Sequence, residues 1–190
     1  MPDSLAPEAV VPRLRGRFGL DYRYVESTPS TQLLLAPDAA EGAVAVAGEQ
    51  TAGRGRLGRS WVAPAGTSLL CSVQLRPTVS PDRLPELTGV IAHACAEAIE
   101  AATGLKPELK FPNDVLLEGR KVAGILAEAR EGRVVAGIGV NVNIAEADLP
   151  SKLETPPTSL LVETGQEVDR AKLLVELLAR LEQRYVAWLT

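Results

Sequence analysis

Apolar and polar residues alternate through residues 67–75: Leu69, Cys71, Val73 and Leu75 share one face, and Ser68, Leu70, Ser72 and Gln74 share the other. That period of two predicts a strand. A second alternation runs from Arg133 to Asn143, with Val134, Ala136, Ile138, Val140 and Val142 on one face and Gly137, Gly139, Asn141 and Asn143 opposite. Shorter strands are expected over 21–26, 43–47, 108–111, 115–117 and 121–128. Helical spacing appears twice. Leu87, Ile91, Ala94 and Ala98 make an apolar stripe over 83–102, ended by Gly104, and Leu174, Leu177, Leu178, Leu181, Tyr185 and Trp188 make another from the candidate N-cap Asp169 to about Leu189. A short proline-interrupted helix is expected over 4–15, and a helix capped within Ser27–Thr31 through Leu33-Leu34-Leu35. Pro64-Ala65-Gly66 predicts a hairpin between Trp61-Val62-Ala63 and the 67–75 strand. Residues 150–158 read as an irregular connection. Many gaps between strands are too short for parallel crossovers. The fold class is therefore α+β, a mixed, largely antiparallel sheet backed by helices, in one domain over 1–190.

Composition removes several functions. The 190 residues are 46% hydrophobic and 23% charged, as in a globular protein with a full core. No apolar run is long enough to span a membrane. Met1 to Glu8 lacks the basic start and apolar core of a signal peptide, so a cytoplasmic location is expected. Two isolated cysteines, Cys71 and Cys95, read as small core residues. A single histidine, His93, sits on the polar side of the first long helix beside Glu97, and is too few for a zinc site. The net charge of −4 argues against binding DNA, and 4% aromatics argues against a basic-loop RNA binder.

Basic charge is nevertheless concentrated in Gly53-Arg54-Gly55-Arg56-Leu57-Gly58-Arg59, framed by Gln50 and Trp61. Glycines let backbone N–H groups approach an anion, and arginines pair bidentately with phosphate or carboxylate. The spacing is neither that of a P-loop nor that of a dinucleotide turn, and the motif alone suits a solvated loop equally well. Lys110-Phe111-Pro112-Asn113-Asp114 makes a stiff corner that, taken alone, reads as a simple turn. Lys121 enters an apolar strand containing Gly124, where a lysine needs either an anionic partner or a path to water. The glycines at 137 and 139 call for a ligand or a closely packed backbone.

Taken in order, Ser30-Thr31-Gln32, Gln50 through Arg59 with Trp61, the 110–114 corner, Arg120 through Leu126 and Gly137 through Asn141 resemble the catalytic domain of the biotin–protein ligases. The resemblance spans about Tyr22 to Leu189. It implies a class II aminoacyl-tRNA synthetase-like fold, formation of biotinyl-5′-AMP from biotin and Mg-ATP, and transfer of biotin to a lysine of the biotin carboxyl carrier protein of acetyl-CoA carboxylase. It implies that Ser30, Thr31, Gln32, Gln50, Gly53, Arg54, Gly55, Arg56, Lys121 and Gly124 contact biotin. Arg56, Arg59, Trp61, Lys110, Asn113, Asp114, Lys121 and Asn141 would lie on the ATP side, with Lys121, Arg54 and Arg56 acting on the reacting groups. No metal site follows from side-chain spacing; Mg2+ would arrive with ATP, near Asp114. Departures from the family pattern are Gln32 for a frequent Asn, Phe111 for a frequent Trp, and Leu57 at a position that is often polar. Neither the family's small C-terminal β-barrel domain nor an N-terminal helix-turn-helix is expected in this chain, and a homodimer is allowed. The alternatives are a lipoate or octanoate ligase or transferase of the same fold, and a non-catalytic biotin-binding module.

Overall fold

The computed structural model describes residues 4–151 and 153–190; Met1-Pro2-Asp3, read above as part of the N-terminus, and Lys152 of the irregular connection lie outside the described residues. Among the described residues nine strands form: β1 (Tyr22–Thr28), β2 (Val44–Gln50), β3 (Gly53–Arg54), β4 (Ser60–Trp61), β5 (Ser68–Leu75), β6 (Glu108–Lys110), β7 (Asp114–Leu117), β8 (Arg120–Arg130) and β9 (Arg133–Asn141). Seven of them make one sheet in the order β1-β2-β5-β9-β8-β7-β6, and β3 and β4 form a separate ribbon. Pairing is antiparallel throughout except between β1 and β2, which run parallel. Four helices accompany them: α1 (Pro7–Val10), α2 (Glu86–Thr103), α3 (Leu160–Thr164) and α4 (Arg170–Leu189).

The two alternations decide the layers. Leu69, Cys71, Val73 and Leu75 stand in register with Val140, Ile138, Ala136 and Val134, and all eight are buried with the apolar stripes of α2 and α4 in one core. Burying such a stripe of leucines, at roughly 25 cal/mol per Å2, is the main force holding the helices on the sheet. The opposite face carries Ser72, Leu126, Gly124, Gly137 and Gly139 in register across β5, β8 and β9. Among the described residues this second face is covered at Gly137 by the short 3-10 turn that carries Gln32 and at Gly124 and Gly139 by Trp61 of the β3–β4 ribbon.

Helix ends follow local chemistry. Asp169 accepts the Lys172 N–H and caps α4, and Gly104 closes α2 at φ 77°. α2 and α4 are also tied by Arg184, which donates to Glu97 and holds that carboxyl below its usual range. A carboxyl depressed on folding stabilises above its unfolded range, near 4.3, and the contribution is lost as pH falls through its folded range. Arg184→Gln is therefore expected to cost less than about 1 kcal/mol at pH 7, as half-exposed pairs do. In denaturant titrations the gap to wild type should close below about pH 4.

Three local expectations change. The helix expected through Leu33-Leu34-Leu35 is only a 3-10 turn, Thr31–Leu33, and Ser30 makes no side-chain cap. The Leu33 and Leu34 N–H groups reach back only three residues, to the Ser30 and Thr31 carbonyls, and Pro37 stops a longer helix, while Gln50 Oε1 takes the Thr31 N–H at 2.8 Å in place of a serine cap and the Gln32 side chain donates to the Leu126 carbonyl at 3.0 Å. Trp61 does not pair with the 67–75 strand but with Gly53, where a Cβ would stand 2.3 Å from the Trp61 carbonyl oxygen. Only glycine permits that approach. α3, capped by Ser159, falls in a stretch read as connection.

Candidate active site

The glycine-bearing face of the sheet floors a cleft of about 750 Å3. Its inner end is polar and buried. Ser30, Thr31 and Gln32 are each 3% exposed. Gln50 Oε1 accepts from both the N–H and the hydroxyl of Thr31, at 2.8 and 3.1 Å, and that hydroxyl lies 2.8 Å from Ser72 Oγ. Gln32 lies flat on the sheet because residue 137 is glycine; a Cβ there would be 2.8 Å from Gln32 Nε2.

The middle of the cleft is walled by Trp61, which lies directly on the glycine floor of the sheet. The indole rests on Gly139 and Gly124, where added Cβ atoms would come within 2.7 and 3.0 Å of ring carbons. The need for close approach inferred from the strand glycines is thus met by Gln32 and Trp61. Trp61 Nε1 is buried and, among the described residues, has no hydrogen-bond partner. A buried donor left unmatched costs about 1–3 kcal/mol, which a ligand acceptor in the cleft would recover.

The outer end is cationic. Lys121 Nζ lies 2.7 Å from Asp114 Oδ1 and 5.8 Å from the Trp61 ring centre. The Lys121 backbone is clamped by the 150–158 connection: its N–H donates to the Pro156 carbonyl, and its carbonyl accepts from Thr158. Asn141, 5% exposed, holds the same connection by donating to the Thr158 carbonyl at 3.0 Å. Arg56 donates to Asn113 Oδ1 at 3.0 Å, linking the glycine–arginine loop to the corner after the cis Phe111–Pro112 bond. Arg59 stands 3.8 Å from Glu154.

Fourteen of the sixteen residues singled out in the sequence line this one cleft; the exceptions are Gly53 and Lys110. Gly53 is buried against Trp61 at the root of the loop, and Lys110 stands outside, donating to Thr155 Oγ1 at 2.8 Å. Ser72, Glu128 and the place of the 150–158 connection at the site escaped the sequence reading. Glu128 carried a signal: period two from Gly124 puts it on the cleft face. The connection carried none, because its place depends on docking at Lys121.

Residues 24–144 match the model of the biotin/lipoate A/B protein ligase family. The chain belongs to that family. Within the family its likeness is to the biotin ligases. It is 41% identical over 172 residues to the bifunctional ligase/repressor BirA of Bacillus spizizenii, covering 87% of this chain and 53% of that protein. The chain thus spans about half the length of such relatives. It is also 41% identical over 172 residues to the biotin–[acetyl-CoA-carboxylase] ligase of Paracoccus denitrificans, covering 86% of this chain and 71% of the relative. Among solved structures, the biotin protein ligase from Aquifex aeolicus in complex with biotin and ATP superposes with a TM-score of 0.80 at 33% identity, covering 88% of this chain and 71% of that one. No helix among the described residues is long and apolar enough to cross a membrane, and no cluster of three His, Cys, Asp or Glu is placed to hold a metal ion.

Proposed function

We propose that this chain is the catalytic unit of an ATP-dependent biotin–protein ligase. One observation carries the reading: a single cleft runs from a buried amide and hydroxyl cluster, past the Trp61 indole lying on the glycine floor, to Lys121 and Arg56. That sequence of environments suits a molecule with a polar cyclic head, an aliphatic tail and a terminal carboxylate. Donors and acceptors on Thr31, Gln32, Gln50 and Ser72 suit a ureido head. The apolar wall made by the Trp61 indole suits methylenes.

In the first step a carboxylate oxygen attacks the α-phosphorus of ATP, the bond to the bridging oxygen breaks, and pyrophosphate leaves. Two anions must meet. Lys121 and Arg56 offset that repulsion and stabilise charge developing on the transferred phosphoryl group. Arg56 suits this because its partner, Asn113, is a neutral amide, so its charge is left for the ligand. Arg59 and Trp61 extend the nucleotide side, and Asn113 and Asn141 hold its walls. Lys110, lying outside the cleft, reaches only the 150–158 connection that flanks it. In the second step a lysine amine of a carboxyl carrier domain attacks the acyl carbon. The carbon–oxygen bond to phosphate breaks, AMP leaves, and the amine loses a proton. The nucleophile belongs to the partner, so no activated Ser or Cys is required here.

Magnesium would enter on the phosphates of ATP. Asp114 lies at the cationic end, and Lys121 already occupies one of its oxygens.

Biotin-dependent ATP–pyrophosphate exchange tests the reading. Exchange with biotin and none with octanoate is expected. Exchange with octanoate alone would assign a lipoate-type ligase, and tight biotin binding without exchange would assign a binding module.

A further inference from the structure

Arg54 and Arg56 sit two residues apart in one loop, yet their surroundings differ. Arg56 meets a neutral amide. Arg54 is committed to a carboxylate: Nη1 and Nη2 donate to the two oxygens of Glu128 at 3.3 and 2.9 Å. Glu128 is half-buried on the cleft face of β8 and also accepts from Arg130 Nη2 at 2.5 Å. The same Arg130 nitrogen lies 3.4 Å from Gln32 Oε1, and Gln32 Nε2 donates to the Leu126 carbonyl on the same strand. One short stretch of β8, Leu126 to Arg130, therefore anchors both the glycine–arginine loop and the 3-10 turn at the polar end of the cleft.

We propose that Glu128 is a positioning residue for the ligase reaction, the latch that holds the loop down over the cleft, and that Arg54 is its partner and does not act on the phosphoryl group. The inference rests on the proposed function for its catalytic consequence, but not for the latch itself. Its physical basis is the bidentate geometry. Two parallel N–H to oxygen bonds fix the orientation of the loop as well as its distance, which a single charge contact would not. The bridge occupies Arg54 with a carboxylate, whereas Arg56, bonded to a neutral amide, keeps its charge for a ligand. Arg130 adds a second donor to the same carboxylate from within β8 and fixes its orientation.

A latch and a purely electrostatic role differ in sign. If Glu128 acted only through its charge, Glu128→Gln would make the cleft more positive and tighten binding of anionic ligands. A latch predicts the reverse. A partly exposed bidentate pair should be worth about fivefold in loop closure. Glu128→Gln is thus expected to raise the biotin KM and the release rate of the bound adenylate about fivefold, with kcat for exchange within about twofold of wild type. Lower KM, or a fall in kcat at unchanged KM, would overturn the proposal. The second arm needs no activity. In the ligand-free full chain, the Gly55 and Arg59 amides, which bond within the loop, are followed by hydrogen exchange. Their protection should fall about fivefold in Glu128→Gln. It should recover in the charge-swapped pair Arg54→Glu with Glu128→Arg. Unchanged protection in Glu128→Gln sinks the latch even if the ligase reading stands. Lost protection in a chain with no exchange activity keeps the latch and removes the ligase reading.

Discussion

Lys121→Ala is expected to lower biotin-dependent pyrophosphate exchange about 100- to 1,000-fold, the usual effect of removing one group that stabilises developing charge. The ammonium stands at the cationic end of the cleft, packed against Gly124, where an added Cβ would lie 3.3 Å from Nζ. Its backbone is held independently of its side chain, by Pro156 and Thr158. The strand and the connection should therefore stay in place, and the loss should appear in kcat more than in folding. One structural cost is foreseen: Asp114, in ion contact with Lys121 at 2.7 Å, loses its partner. Breaking a partly buried pair leaves an uncompensated charge. Adding Asp114→Asn to Lys121→Ala should then recover melting temperature without recovering exchange. Exchange within tenfold of wild type in Lys121→Ala would show that this lysine is not the group stabilising the transfer. Arg56→Ala should move exchange in the same direction with little change in stability, since Asn113 keeps its bond to the Ile125 carbonyl.

The second large effect belongs to a residue with no side chain. Gly139→Val is expected to abolish tight biotin binding, weakening it more than about 100-fold, while the helix-facing half of the domain stays folded. Added Cβ contacts of 2.7, 2.9 and 3.1 Å fall on three atoms of the Trp61 indole. The ring cannot shift by a few tenths of an ångström, because its backbone is pinned to Gly53 on the other side. The whole β3–β4 ribbon must lift, and the loop lifts with it. Overpacking of this kind costs roughly 1–3 kcal/mol, which the core formed by α2, α4 and the sheet should survive. In a Trp188→Phe background Trp61 is the remaining tryptophan, so its emission should shift to that of a wetter indole. A variant with wild-type emission and wild-type biotin affinity would show that the cleft does not depend on this contact.

These two sites were legible to different degrees. Gly139 stands out in the sequence because glycine alternates with valine and isoleucine in a strand that ought to be filled. Lys121 stands out because a lysine enters an apolar run. Both signals come from neighbouring residues. What each meets was hidden: the indole over Gly139 comes from residue 61, and the carboxylate beside Lys121 from residue 114. The sequence reading set both Arg54 and Arg56 on biotin and on the reacting groups, because the two are alike within the motif, and set only Arg56 on the ATP side as well. Glu128, 74 residues away, makes them different.

By itself the sequence determined the properties that depend on local periodicity and local chemistry. Those are the two faces of β5 and β9, the stripes of α2 and α4, the caps at Asp169 and Gly104, and therefore the division of the sheet into a helix side and a glycine side. Residues i and i+2 of a strand, or i and i+4 of a helix, share a face whatever the rest of the chain does. Only the tertiary structure decided what the glycine side would face. It capped the turn at Thr31 with Gln50 from β2, where the sequence offered a neighbouring serine or threonine. It paired Trp61 with Gly53 and not with the strand that follows, laid the 150–158 connection along Lys121, and bound Arg54 to Glu128. Each of these is a choice of partner among groups distant in sequence, set by which pairing buries the indole and matches the buried donors and charges at the same time. No window of neighbouring residues contains that information.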